Sequence, residues 1–204
     1  LSQNLPIRAT LIRLDDTHYR LLVVLHHIVT DGASMAILLE ELSQLYNGTG
    51  SLAPLEIHYP DYAAWQQQQR GSPTWLAARR YWQQQLAQLP ERLSLPTDRV
   101  RPARQSFDGG SMPVEIDSAL TRRLRQFSQQ QGCTLFMLLL SAWSVVLSRL
   151  SGQNDLAIGI PVNNRPLPQC EPVVGFFVNT LPLRVDLSAH PCATALVAQV
   201  KQTL

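Results

Sequence analysis

Leu21-Leu22-Val23-Val24-Leu25 runs directly into His26-His27. Five apolar residues without alternation make a strand that is apolar on both faces. Such a strand belongs at the centre of a sheet, covered above and below, rather than at an edge. Ile7 to Leu14 reads as its neighbour, and Asp15-Asp16-Thr17 as the turn of a hairpin before Tyr19 to His27. The chain is thus expected to carry two imidazoles at the end of a buried strand.

The same period-counting organises the rest. Met35 to Tyr46 reads as a helix stopped by Gly48, and a loop with Pro54 and Pro60 follows. Trp75, Ala78, Trp82, Leu86 and Leu89 mark a second helix, ended by Pro90. Leu95 to Gly110, with Pro96, Pro102 and Gly109-Gly110, is the best linker. Beyond it, Met112 to Ile116 reads as a strand. Ser118 can cap a helix that closes near Gly132, and Thr134 one over Leu135 to Leu150. That last helix is apolar almost all round, hence expected to be buried. Leu156 to Val162 and Phe176 to Val185 read as strands, and Ala193 to Leu204 as a helix. Strands and helices alternate on both sides of the linker, so the class is α/β with two lobes.

Composition removes several function classes. Seventeen basic residues against fifteen acidic ones leave a net charge of +2, no electrostatic case for nucleic acid or an anionic membrane. At 45% hydrophobic, the 204 residues can bury a sizeable core. Cys133, Cys170 and Cys192 are odd in number and far apart, which fits neither a disulfide framework nor a zinc pattern. Buried or incidental thiols in a reducing compartment are the plain reading. The longest apolar stretch, Leu135 to Leu147, is too short to span a bilayer. The first residue is not Met and the last falls inside a helical pattern, so a piece of something longer is expected.

The chemistry-bearing segment is His26-His27-Ile28-Val29-Thr30-Asp31-Gly32. Neighbours on a strand point to opposite faces, so one imidazole at most looks into a given cavity. Three readings compete: satisfied core histidines, a His/Asp metal site, and a general base or proton-positioning site. Diverging neighbours, with no further His or Cys at ligand spacing, disfavour the metal. Spacing alone does not choose between the other two.

The segment resembles the HHxxxDG motif of the condensation domains of nonribosomal peptide synthetases. Tyr59-Pro60-Asp61-Tyr62-Ala63-Ala64-Trp65 resembles their YxDYAxW motif. Ile158 to Pro166 resembles their GxPVxxR stretch. Val174 to Arg184 resembles their VGxFVNTxxxR motif. The resemblance covers the whole chain but only the middle of the family's domain. The early Arg-rich segment and the motifs after Arg184 are not in it. It implies a two-lobed, chloramphenicol-acetyltransferase-like α/β fold, each lobe a mixed sheet with flanking helices. Residues 1–100 are then the later half of the N-terminal lobe, and 101–204 the first half of the C-terminal lobe, with a tunnel where the lobes meet.

The implied reaction joins two carrier-bound substrates: an acceptor amine attacks a donor thioester, forming an amide. On the motif, His27 is the catalytic residue, as proton acceptor or as the group that orients the amine. Both remain open, because an α-amine of pKa about 8 needs little help to lose its proton. His26 is a packed support. Asp31 is structural and should pair with Arg165. Gly32 should bring its N–H near the reacting carbonyl, and Asn179 should line the tunnel. Tyr59 and Trp65 are read as packing, and Trp75, Trp82 and Trp143 as core. His18, His58 and His190 are read as having no part in the site.

No cofactor or metal is expected on the chain itself, its substrates riding on the phosphopantetheine of partner carrier proteins. Expected partners are donor and acceptor peptidyl carrier domains and a neighbouring adenylation domain, in the cytoplasm, with neither nucleic acid nor membrane. The alternatives are an epimerization domain of the same superfamily and a non-catalytic scaffold that binds carrier proteins. The Phe-Phe-Val-Asn-Thr run favours condensation over epimerization. The His pair disfavours a cyclization domain, where acidic residues replace it.

Overall fold

A computed structural model describes residues 3–48, 50–106 and 108–204. The expected hairpin is present. β1 (Ile7–Arg13) and β2 (Tyr19–Leu25) pair antiparallel, with Ile7 opposite Leu25 and Arg13 opposite Tyr19. The turn is held by Asp15, whose Oδ1 accepts from the N–H of Thr17 and of His18, both at 2.8 Å. β2 is not the buried central strand its sequence suggests. It has β1 as its single strand partner among the described residues, and its residues from Tyr19 to Val24 are exposed. Covering both faces takes a layer above and below, and the described residues do not supply them.

The first helix, α1 (Gly32–Asn47), begins three residues before the expected start because Asp31 caps it. It ends where Gly48 takes φ 64°, a left-handed geometry that glycine adopts without strain. The expected loop around Pro60 instead contains a helix, α2 (Tyr59–Gln68). Pro60 sits in its first turn, where a missing N–H costs nothing, and the Asp61 carboxylate accepts from His58 N at 2.8 Å. The next helix, α3 (Pro73–Gln85), stops short of Pro90 because the backbone turns left-handed at Gln88, φ 61°.

The described residues of 95–110 form neither helix nor strand. Met112 to Ile116, expected as a strand, forms neither strand nor helix and has no strand partner among the described residues. The helix α4 (Ser118–Gln130) is capped by Asp117, not Ser118, through Oδ1 and the Leu120 N–H at 2.7 Å. Thr134 caps α5 (Leu135–Ser151) as expected. β3 (Asp155–Val162) and β4 (Asn179–Asp186) form a second two-stranded sheet, and α6 (Ala193–Thr203) closes the order.

The chain packs as two units. One comprises residues up to Arg79 together with Pro161–Leu181. Its core is Tyr62, Cys170, Val173 and Phe177, with Ile57 and Tyr59 against them. The other comprises Arg80–Ile160 and Pro182–Leu204. Its core gathers Leu140 and Leu147 of α5, Leu156 and Ile160 of β3, Leu183 and Val185 of β4, and Leu196, Val197 and Val200 of α6. Only one stripe of α5 is buried, against expectation: Phe136, Trp143, Val146 and Leu150 are exposed. The stripe includes Ser141 and Ser144, whose hydroxyls donate to the carbonyls of Met137 and Leu140, each at 2.8 Å. Trp143 and Trp75 are therefore not core residues, and Trp82 is half-buried. Of the thiols, Cys170 is buried, Cys133 half-buried and Cys192 exposed, none of them in a disulfide. No single helix among the described residues is long and apolar enough to cross a membrane.

Candidate active site

β2 ends at Leu25, so the histidines do not alternate across a strand. His26 caps a single 3-10 turn over His27–Val29, its Nδ1 accepting from Ile28 N at 3.0 Å. His27 lies within that turn and returns Nδ1 to the Thr30 carbonyl at 2.6 Å. A carbonyl oxygen has no proton to give, so Nδ1 carries the hydrogen and Nε2 of the neutral ring keeps the lone pair. The ring stands edge-on to Phe176, centroids 5.2 Å apart and planes at 86°. Beside it opens a depression of about 510 Å³, walled by Val23, Val24, Leu25, Thr30 and Met35.

Asp31, next to this turn, is 3% exposed and collects five donors. Oδ1 faces Ser34 N and Ser34 Oγ at 2.8 Å each, and Arg165 Nη2 at 3.3 Å. Oδ2 accepts from Phe177 N at 3.0 Å and Val178 N at 3.3 Å. Burial alone would push this carboxyl up. The Ser34 N–H and hydroxyl, the Phe177 N–H and the Arg165 charge outweigh it and bring the pKa from 3.8 down to about 2.

Arg165, its side chain 5% exposed, completes the cluster. Nη1 donates to the carbonyls of Cys170 and Val173, and Nη2 reaches Ser34 Oγ at 3.0 Å. The guanidinium lies over the Phe177 ring, Cζ 4.2 Å from its centroid. Its Nε is buried without a hydrogen-bond partner among the described residues. Ser34 is fully buried at the crossing point. Its Oγ accepts from Gly175 N at 3.0 Å and from Arg165, and its one proton is shared between Asp31 and the Gly175 carbonyl, both at 2.8 Å. Gly175 must lack a side chain: a Cβ there would stand 2.8 Å from Tyr59 Cγ and closer still to Cδ2.

A family model for the condensation domain matches residues 1–204. The chain belongs to the condensation-domain family. It is 50% identical over 202 residues to malpibaldin synthetase of Mortierella alpina, covering 97% of this chain and 4% of that protein. It is 41% identical over 208 residues to one of the linear gramicidin synthase proteins of Brevibacillus parabrevis, covering 100% of this chain and again 4% of the relative. The chain thus spans a small part of the length of these curated relatives. The crystal structure of the X-domain from teicoplanin biosynthesis superposes with a TM-score of 0.88 at 28% identity, over 98% of this chain and 47% of that one. A four-domain nonribosomal peptide synthetase bound to AMP and glycine gives 0.87 at 29%, over 97% and 15%. The chloramphenicol-acetyltransferase-like α/β fold implied by the motifs is the fold of these neighbours and of this chain.

In this condensation domain the expected Asp31–Arg165 pair is formed, and it places Arg165 beside α1. Gly32 provides the first N–H of α1, one that the helix ladder leaves unbonded. An added Cβ at Gly32 would meet no atom within 4 Å among the described residues, so packing there does not itself require glycine. Asn179 opens β4 and is exposed; its Oδ1 accepts from Thr180 N at 2.9 Å. β4 starts there rather than at Phe176 because the N–H groups of residues 175, 177 and 178 are taken by Ser34 and Asp31. Sequence reasoning passed over Ser34 and Phe176. Ser34 was legible in principle: it stands three residues after a capping aspartate, where a short hydroxyl can share the cap. Phe176 carries no such signal. Among the described residues, no three His, Cys, Asp or Glu side chains group to hold a metal ion.

Proposed function

We propose that this condensation domain forms an amide bond between a donor acyl or peptidyl thioester and an acceptor aminoacyl thioester. Each substrate arrives on the phosphopantetheine arm of a carrier protein domain, with an adenylation domain as neighbour in a multidomain synthetase. The amine nitrogen attacks the thioester carbonyl, the carbon–sulfur bond breaks, and the departing thiolate takes up the proton lost by the amine to leave as the free thiol. On the motif resemblance, residues 1–100 are the later half of the N-terminal lobe and 101–204 the first half of the C-terminal lobe, with Pro161–Leu181 packing in the first unit.

One observation carries the reading: His27 commits Nδ1 to Thr30 and keeps Nε2 as an acceptor beside an open depression. An acceptor there can hold an amine by its N–H and receive its proton. Gly32 N–H is the candidate donor to the carbonyl oxygen as it gains charge. Asp31 and Arg165 do no chemistry in this scheme; they fix the turn that carries His27. His26 caps that turn, and Asn179 is the candidate polar contact where β4 begins.

The test places this sequence in a complete condensation domain between two loaded carrier proteins and follows products by mass spectrometry. A dipeptidyl thioester is expected, falling by roughly 10²–10⁴-fold in rate with His27→Ala. An inverted α-carbon with no new amide would move the assignment to epimerization. An unchanged rate in His27→Ala would remove the histidine from the chemistry.

A further inference from the structure

We infer that Phe176 is a positioning residue for His27, and that the segment around it is pinned in order to aim it; this rests on the reading of His27 as the catalytic group. The backbone on both sides of Phe176 is held by side chains from three places. Ser34 of α1 takes the Gly175 N–H at 3.0 Å. The Tyr59 hydroxyl of α2 donates to the Phe176 carbonyl at 2.8 Å. Asp31, ahead of α1, takes the next two N–H groups, those of Phe177 and Val178. Tyr59 is seated by its ring, which occupies the space a side chain at 175 would need.

The two phenylalanines of this run part company. Phe177 is buried on Arg165 and Tyr62, whereas Phe176 is 39% exposed and meets His27. An exposed phenylalanine on a rigidly held backbone is poorly explained by core packing. It is well explained as a brace. The bond to Thr30 fixes one edge of the imidazole but leaves the ring free to rock about it. A perpendicular aromatic contact limits that rocking and so fixes the direction of the Nε2 lone pair. Phe176 occupies the open position of the VGxFVNTxxxR pattern, so the motif itself does not announce this role.

Two measurements on the complete domain test it. The first is kinetic, with saturating loaded carriers. Phe176→Ala is expected to lower kcat roughly tenfold with little change in KM, Phe176→Leu to fall between, and Phe176→Tyr to restore the rate. The second needs no turnover: the ¹⁵N and ring-proton resonances of His27. In Phe176→Ala the ring-current shift should vanish and the ring resonances should broaden as the imidazole rocks, while Nδ1 stays protonated on Thr30; in Phe176→Tyr the shifts and linewidths should stay put. Unchanged kcat in Phe176→Ala, with His27→Ala inactive, overturns the brace and leaves the function standing. Full activity in His27→Ala overturns the underlying reading instead. If the alanine variant does not fold, the leucine and tyrosine variants decide by the same two readouts.

Discussion

Each unit contains an arginine–carboxylate pair between residues distant in sequence, and these two pairs differ in almost everything but their chemistry. Asp31–Arg165 joins the start of α1 to the loop after β3, its side chains 3% and 5% exposed. Arg184–Asp155 joins β4 to β3, with both side chains 27% exposed. The second pair has the better geometry, a two-pronged contact at 2.6 and 2.8 Å, and its remaining Nη1 closes the carbonyls of Gln85 and Ala87 at the end of α3. The first is looser, at 3.3 Å, but both members hold further buried partners: Asp31 the N–H groups of Ser34 and Phe177, Arg165 the carbonyls of Cys170 and Val173. Pair distance is therefore a poor guide to consequence. What matters is how many buried partners are stranded when one member goes.

Asp31→Ala should have the largest effect on stability. It strands the Arg165 charge and three backbone N–H groups, those of Ser34, Phe177 and Val178, while the Ser34 hydroxyl keeps the Gly175 carbonyl as acceptor. A loss of about 3–5 kcal/mol in unfolding free energy is expected for the complete domain, read from denaturant titration. The turn carrying His27 should loosen with it. A loss under about 1 kcal/mol would mean that the cluster relaxes around the gap, and would erase the contrast between the pairs.

How far this contrast was legible in the sequence depends on the kind of signal. The helix α1 follows from local rules, a helical period and a terminating glycine; the Asp31 cap that starts it three residues early was not read from them. The Asp31–Arg165 pair came from motif resemblance, because no local rule joins residues 134 positions apart. The backbone of residues 176–178 was misread as strand because its apolar pattern is strand-like. Its N–H groups are claimed by side chains from elsewhere, which no pattern records. β2 failed in the opposite way: the pattern asks for cover, and pattern alone does not say whether the same chain provides it. The capped 3-10 turn at His27 was hidden because a strand-end rule assigns faces to residues already beyond the strand.

Acid should reach the buried pair selectively. The folded chain binds the Asp31 proton more weakly than the unfolded chain does, since its pKa falls from 3.8 to about 2. Its contribution is whole above pH 4 or so and is lost as the pH drops toward 2, amounting to about 2 kcal/mol. Unfolding free energy measured at several values from about pH 5 down to about pH 2 should fall by that much more in the parent than in Asp31→Asn, which has no proton to take up there. Parallel curves would show that Asp31 titrates normally and that the five donors do not hold its charge.

Asp155→Ala should cost least, about 0.5–1 kcal/mol. Arg184 keeps its bonds to Gln85 and Ala87, and its freed prong can turn to water because the site is partly open. Added salt should shrink this difference, as it does for exposed charges, and leave the Asp31 effect nearly untouched. A cost for Asp155→Ala that matches Asp31→Ala, insensitive to salt, would mean that two-pronged geometry rather than stranded burial sets the scale. In that case the first pair would rank below the second, and the clamp around His27 would have to be sought in Ser34 and the backbone it holds.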